Sequence, residues 1–197
     1  MNYFTSDTHF GDDSILEQDL RPFKNAKQFA KKLISTWNKQ TKKDDIIYVV
    51  GDFVDCDGAG CDSWKNSLEL VKKIKAKVVL ILGNNEQRVI KYYFNNNFEK
   101  FKEYCLGVGF KDVLSNVVIK MRDMEFFLTH KPFDYNPNYF NLFGHMHAAG
   151  GLYKPFGLNV GCDLSHFRLL SENDIFHFIE KKARFWDNDK HLNMRIS

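Results

Sequence analysis

Cysteine is sparse and unpatterned in this chain. Cys56, Cys61, Cys105 and Cys162 form no C-x-x-C pair, which removes the usual signature of a zinc ribbon or a redox motif. With no export pattern in "MNYFTSDTHFG", the four are read as free thiols of a cytoplasmic protein. Cys56 and Cys61, in "DCDGAGCD", are read as thiols of a Gly-rich loop rather than a soft-metal pair. Proline is scarce too, with four residues in 197, and no Pro/Ser-rich linker, repeat or low-complexity segment divides the chain. No apolar run reaches the roughly 18 residues needed to span a bilayer. A strong charge of either sign is also lacking. The net charge is +3, too mild to mark a protein dedicated to duplex nucleic acid. Lysine-rich stretches such as "KNAKQFAKK" and "KKIKAK" read as solvated helix faces.

What remains has the composition of a globular protein, 44% hydrophobic and 27% charged, with nineteen phenylalanines. Short apolar runs read as strands: "NYFTS", "DIIYVV", "KVVLIL", "NVVIKM", "MEFFLT" and "YFNLF". Phe29, Leu33, Ile34 and Trp37 recur at helical spacing, as do Trp64, Leu68, Val71 and Ile74. "EQRVIKYYFNN" reads as a further helix. "SENDIFHFIEKKAR" reads as a last one, opened by a capping box with Asp174 in the usual Glu place. Strand–helix alternation in the first half implies parallel pairing, and closely spaced strands in the second half imply antiparallel additions. The expected architecture is α/β: a mixed β-sheet sandwich flanked by helices, in one domain over 1–197 with 185–197 a loose tail.

The chemistry lies at the strand ends. Asp7-Thr8-His9 follows the first strand, Gly51-Asp52 the second with Asp55 three further on, and Gly83-Asn84-Asn85-Glu86 the third. His130 follows "EFFLT", and Gly144-His145-Met146-His147 follows "YFNLF". In α/β sheets ligands bind at the carboxyl ends of strands, so these five ends should converge. Strand alternation would let Asp7 and His9, or His145 and His147, point the same way. Mixed nitrogen and oxygen donors suit Mn, Fe, Zn or Ni better than Mg. Their number exceeds what one tetrahedral ion takes, so two ions are expected.

In order, "DTH", "GDFVD", "GNNE", "TH" and "GHMH" resemble the motif series of the calcineurin-like metallophosphoesterase superfamily. "SDTHFG", "RPF", "WN" and "LNVGCD" resemble its small single-domain branch. The resemblance implies one divalent ion held by Asp7, His9, Asp52 and His147. It implies a second held by Asp52, Asn84, His130 and His145, with Asp52 bridging and manganese the first choice of metal. It further implies a water or hydroxide between the ions as nucleophile on a phosphoester. Asp55 is either an orienting partner of a ligand histidine or a loop residue, and Glu86 is read chiefly as opening the helix that follows.

The family places His where this chain has Asn85. An amide donates a hydrogen bond but is no proton donor near neutral pH. Asn85 is therefore expected to face the substrate phosphate as a hydrogen-bond donor, beside Asp52 in the catalytic machinery. His166 is a candidate substitute at the substrate. Members of the family without that His are phosphodiesterases, so the expected substrate is a small or nucleotide-like phosphodiester. Phosphomonoesterase, nucleotide pyrophosphatase and binding scaffold are the alternatives. Tyr135 and Tyr139 are candidates to stack on a base.

Overall fold

The computed structural model describes residues 1–60, 62–148 and 152–186. Two five-stranded sheets pack face to face. The first runs in the order β10-β1-β2-β3-β4. In it, β1 (Asn2–Thr5), β2 (Ile46–Val50), β3 (Lys77–Ile81) and β4 (Asp112–Leu114) are parallel, and β10 (Leu170–Ser171) is antiparallel to β1. The second runs in the order β5-β6-β7-β9-β8. It is built from β5 (Val117–Met121), β6 (Met124–Leu128), β7 (Phe140–Phe143), β8 (Tyr153–Lys154) and β9 (Gly157–Asn159).

The apolar runs of the first sheet are continuous because both faces are covered. Ile47, Val49, Val78 and Leu80 face one way, into a core shared with Phe29, Leu33, Trp37, Trp64 and Phe101. Phe4, Val50, Val79 and Ile81 face the other way, onto Phe126, Leu128, Leu142 and Leu158 of the second sheet. The helices on the outer face are α1 (Ser14–Gln18), α2 (Ala26–Gln40), α3 (Ser63–Leu68), α4 (Asn84–Tyr93) and α5 (Phe98–Val108). Asn25 caps α2, its side chain accepting the Gln28 N–H at 2.8 Å. The expected 62–75 helix keeps its buried stripe but tightens into a 3-10 segment over Glu69–Lys73. The last helix, α6 (Glu172–Trp186), buries Ile175 and Phe176 in the core between the sheets.

Antiparallel additions occur at β5–β6, β8–β9 and β10, but β6, β7 and β9 run parallel to one another. That departure from the expected pairing has a consequence for the site. Parallel β6 and β7 deliver His130 and His145 to the same end of their sheet. Of the segment expected as a tail, Phe185 and Trp186 belong to α6, while 187–197, like Cys61, lies outside the described residues. No helix among the described residues is long and apolar enough to cross a membrane.

Candidate metal centre

The segments that follow β1, β2, β3, β6 and β7 meet in one cleft. Its volume is about 230 Å3, and its walls include His9, Asp52, Asn84, Asn85, His145 and His147. Backbone hydrogen bonds hold the first two segments in step, from the Asp7 N–H to the Gly51 carbonyl at 3.1 Å and from His9 to Asp52 at 3.0 Å. Strand alternation is not what aims the side chains. Asp7, His9, Asp52, His145 and His147 all have φ between 44° and 71°, a region costly for residues with a Cβ and found where function demands it. Each lies past its strand, in a left-handed turn that swings the side chain inward.

Two glycines are explained by close approach. A Cβ on Gly83 would lie 2.2 Å from Asp52 Oδ1, and one on Gly51, itself at φ +85°, would lie 2.3 Å from His130 Nδ1. The G-D and G-N pairs thus let the Asp52 and His130 side chains lie across the backbone.

Asp52 occupies the centre. Its Oδ2 is 3.6 Å from His9 Nε2 and 3.4 Å from His130 Nε2, while Oδ1 accepts the Asn85 backbone N–H at 2.9 Å. Burial would raise this carboxyl, yet His130 and His9 together hold it below the usual carboxylate range. Burial opposes a charge on His130 as well, but Asp52 overrides it and lifts that imidazole to about 9. His130 Nδ1 lies 2.9 Å from the Val50 carbonyl and donates to it, so Nε2 is the nitrogen turned to the site, 3.0 Å from Asn84 Oδ1. Asp7, His9 and His147 present one set of ligand atoms within 4.8 Å of one another, and Asp7, Asp52 and His130 present a second. Asp7 therefore touches both groupings, where the resemblance implied one. His145 lines the same cleft with its ring 5.1 Å from that of His130, and its backbone N–H donates to both oxygens of Asp7.

These residues fit a metal. His9 Nε2 is buried without a hydrogen-bond partner among the described residues, facing the Asp52 carboxylate. A buried imidazole nitrogen left bare is costly unless a cation completes it.

Supporting groups that the sequence reading did not single out fix these side chains. His147 Nδ1 is hydrogen-bonded to Asp19, the carboxylate–histidine pairing that orients metal-binding imidazoles. Arg21 of "RPF" is buried and forms a fork with Asp163 of "LNVGCD", Nε and Nη2 donating at 2.8 and 2.9 Å. The same guanidinium donates to the Asp7 and Thr8 carbonyls. Two short motifs 142 positions apart are thus one clamp behind Asp7. Asp55 Oδ1 lies 3.8 Å from His9 Nδ1, near that imidazole but beyond hydrogen-bond distance.

Glu86 does more than open α4. Fully buried, it accepts four backbone N–H groups: Gly83 and Asp52 on Oε2, Phe53 and Val54 on Oε1. Burial and the Asp52 charge raise it to about 7 against those donors. One carboxylate joins the start of α4 to the turn carrying Asp52.

Asn85 is buried, and its carbonyl oxygen is already taken, accepting from the Cys56 backbone N–H at 3.2 Å and from Arg88 at 3.1 Å. Only its amide N–H2 faces the ligands, 3.5 Å from His9 Nδ1. His166 is exposed on the turn after Asp163 and is not among the described residues lining the cleft. The neighbouring Phe167 anchors that turn against Phe23 and Phe29. Tyr135 stacks on Phe156 and Tyr139 on Phe127, and neither is among the described residues lining the cleft. Cys56 is a buried core thiol.

Fold and donor set together define a metal-binding α/β sandwich with its site at the strand ends. The profile described as calcineurin-like phosphoesterase matches residues 3–149, and the chain belongs to that family. A relative, the uncharacterized protein MJ1445 of Methanocaldococcus jannaschii, is 28% identical over 188 residues, covering 91% of each chain. Among solved structures, a protein of unknown function, AQ665 of Aquifex aeolicus, shares the fold. It has a TM-score of 0.65 at 20% identity, over 90% of this chain and 98% of that one.

Proposed function

We propose that this protein is a two-metal phosphodiesterase. The observation that carries the reading is Asp52 Oδ2, one oxygen set between His9 Nε2 and His130 Nε2, as a carboxylate shared by two ions requires. Asp7, His9, Asp52 and His147 would hold one ion, and Asp52, Asn84, His130 and His145 the other. When bound, such a pair supplies positive charge to the phosphoryl oxygens and lowers the pKa of a coordinated water. Manganese is the metal to try first, given the mixed nitrogen and oxygen donors.

The chain's own residues favour the diester. At the position where the family carries an imidazole, Asn85 offers no proton, and its oxygen is engaged with Cys56 and Arg88. A general acid is typically worth about a hundredfold to ten-thousandfold. A site without one at that position works best on leaving groups that need little protonation. The cleft, at about 230 Å3, is below the roughly 300 Å3 at which drug-sized ligand sites begin. It suits a phosphoryl group, with the rest of a small or nucleotide-like substrate outside. Residues 1–197 acting as one domain is part of the same proposal.

The test compares bis-p-nitrophenyl phosphate with p-nitrophenyl phosphate, using metal-stripped protein reloaded with manganese and Asp52→Asn as control. Faster diester cleavage that disappears in the control is the expected result. Preferential monoester cleavage would replace the diesterase reading with a phosphomonoesterase.

A further inference from the structure

We propose that Arg88, braced by Asn85, is the cation that binds the non-bridging oxygens of the substrate phosphate; the proposal rests on the phosphoesterase reading above. Arg88 lies one helical turn beyond Asn85 on α4, so the two share a face. Its Nη1 donates to Asn85 Oδ1 at 3.1 Å and to the Cys56 carbonyl at 3.4 Å. Those two acceptors fix one corner of the guanidinium at the lip of the cleft. Among the described residues Nε and Nη2 make no further hydrogen bond, and they form the planar, two-donor edge that matches phosphate oxygens.

Charge points the same way. Asp12, Asp52, Asp55 and Asp57 line the cleft, and Arg88 is the one lysine or arginine among its described lining residues. An arginine facing so many carboxylates would ordinarily pair with one. Among the described residues both contacts go to neutral oxygens and no carboxylate pairs with it, so its positive charge is available to a ligand.

The brace also assigns the amide at position 85. A histidine there could not accept from Cys56 N–H and Arg88 in the same geometry, because an imidazole has no carbonyl-like oxygen with two lone pairs. Asn85 is thus a positioning residue for Arg88 and the Cys56 backbone, and Arg88 makes the phosphate contact. A second cation, Lys131, stands in a neighbouring hollow by Asn84 and His130 and is the natural competitor for this role.

Inorganic phosphate is the probe. Its Kd is measured by titration calorimetry on manganese-loaded wild type, Arg88→Gln, Arg88→Lys and Lys131→Gln, with manganese affinity and the KM and kcat for the diester in parallel. Arg88→Gln is expected to raise the phosphate Kd and the KM about ten- to hundredfold, the loss of a charged donor. Manganese affinity should stay unchanged, and Arg88→Lys should recover part of the loss. A phosphate Kd within twofold of wild type in Arg88→Gln, or a loss confined to Lys131→Gln, overturns the proposal while wild-type turnover keeps the phosphoesterase reading. A fall in manganese affinity in Arg88→Gln overturns it in favour of a loop tether. Wild type that neither binds phosphate nor turns over the diester overturns both.

Discussion

Residue by residue, the candidate ligands were more legible than the groups packed around them. Asp7, His9, Asp52, Asn84, His130, His145 and His147 could be named because each directly follows a recognisable strand; five of them line the cleft, and Asp7 and His130 lie directly against those five. Asp19, Arg21 and Asp163 carry no such signal, since an ion pair across 142 positions leaves no spacing to read. His166 shows the converse. Its place between Ser165 and Phe167 said nothing about which way the turn would face. Glu86 was legible as a helix opener and illegible as a receiver of four N–H groups, three of them from the distant turn at 52–54. The difference can be measured. Were Glu86 only a favourable charge at a helix start, Glu86→Gln would cost less than about 1 kcal/mol. With four buried donors to satisfy, the amide turns an N–H2 toward two of them, and the expected loss is about 2–5 kcal/mol. Urea unfolding of the two proteins decides, and a loss under 1 kcal/mol would reduce Glu86 to its role in α4.

At the scale of the elements, strands long enough to show a run were readable, and those of two or three residues were not. β4, β8, β9 and β10 are too short to carry a period and exist because a neighbour offers them an edge. The stripe of Phe101, Cys105 and Val108 in α5 is buried at helical spacing and went unread beside the Asn-rich turn before it. The start of α6 followed its sequence signal closely. Ser171 N–H donates to Asp174 at 2.8 Å, and the Asp174 N–H donates back to Ser171 Oγ at 3.2 Å, a capping box closed by the shorter acid. Ser171→Ala is expected to destabilise the protein by about 1 kcal/mol and to leave manganese affinity unchanged, because α6 packs on the sheets away from the cleft. Thermal unfolding and calorimetry on the same sample check both halves. A change in metal affinity would mean that α6 is coupled to the site.

The whole molecule is organised so that two sheets share one site. Asp7, His9, Asp52 and Asn84 come from the ends of the first sheet, and His130, His145 and His147 from the ends of the second. Among the described residues the two groups are joined directly by hydrogen bonds such as His130 Nε2 to Asn84 Oδ1 and the His145 N–H to Asp7. Metal ions held by donors from both sides would act as cross-links between the sheets, and ligand binding to the folded state alone adds stability by mass action. At a free manganese concentration a hundred times Kd, that gain is about 2.7 kcal/mol per site. A domain of this size gains roughly 2–4 °C in Tm per kcal/mol, so reloading stripped protein should raise Tm by about 5–10 °C for one site and more for two. Asp52→Asn, which weakens the one carboxylate placed between His9 and His130, should lose most of the rise. Differential scanning calorimetry with and without chelator measures it. A Tm that does not move on adding manganese, in a protein that is otherwise folded, would mean that the seven donors converge without binding an ion, and the two-metal reading would fall with that result.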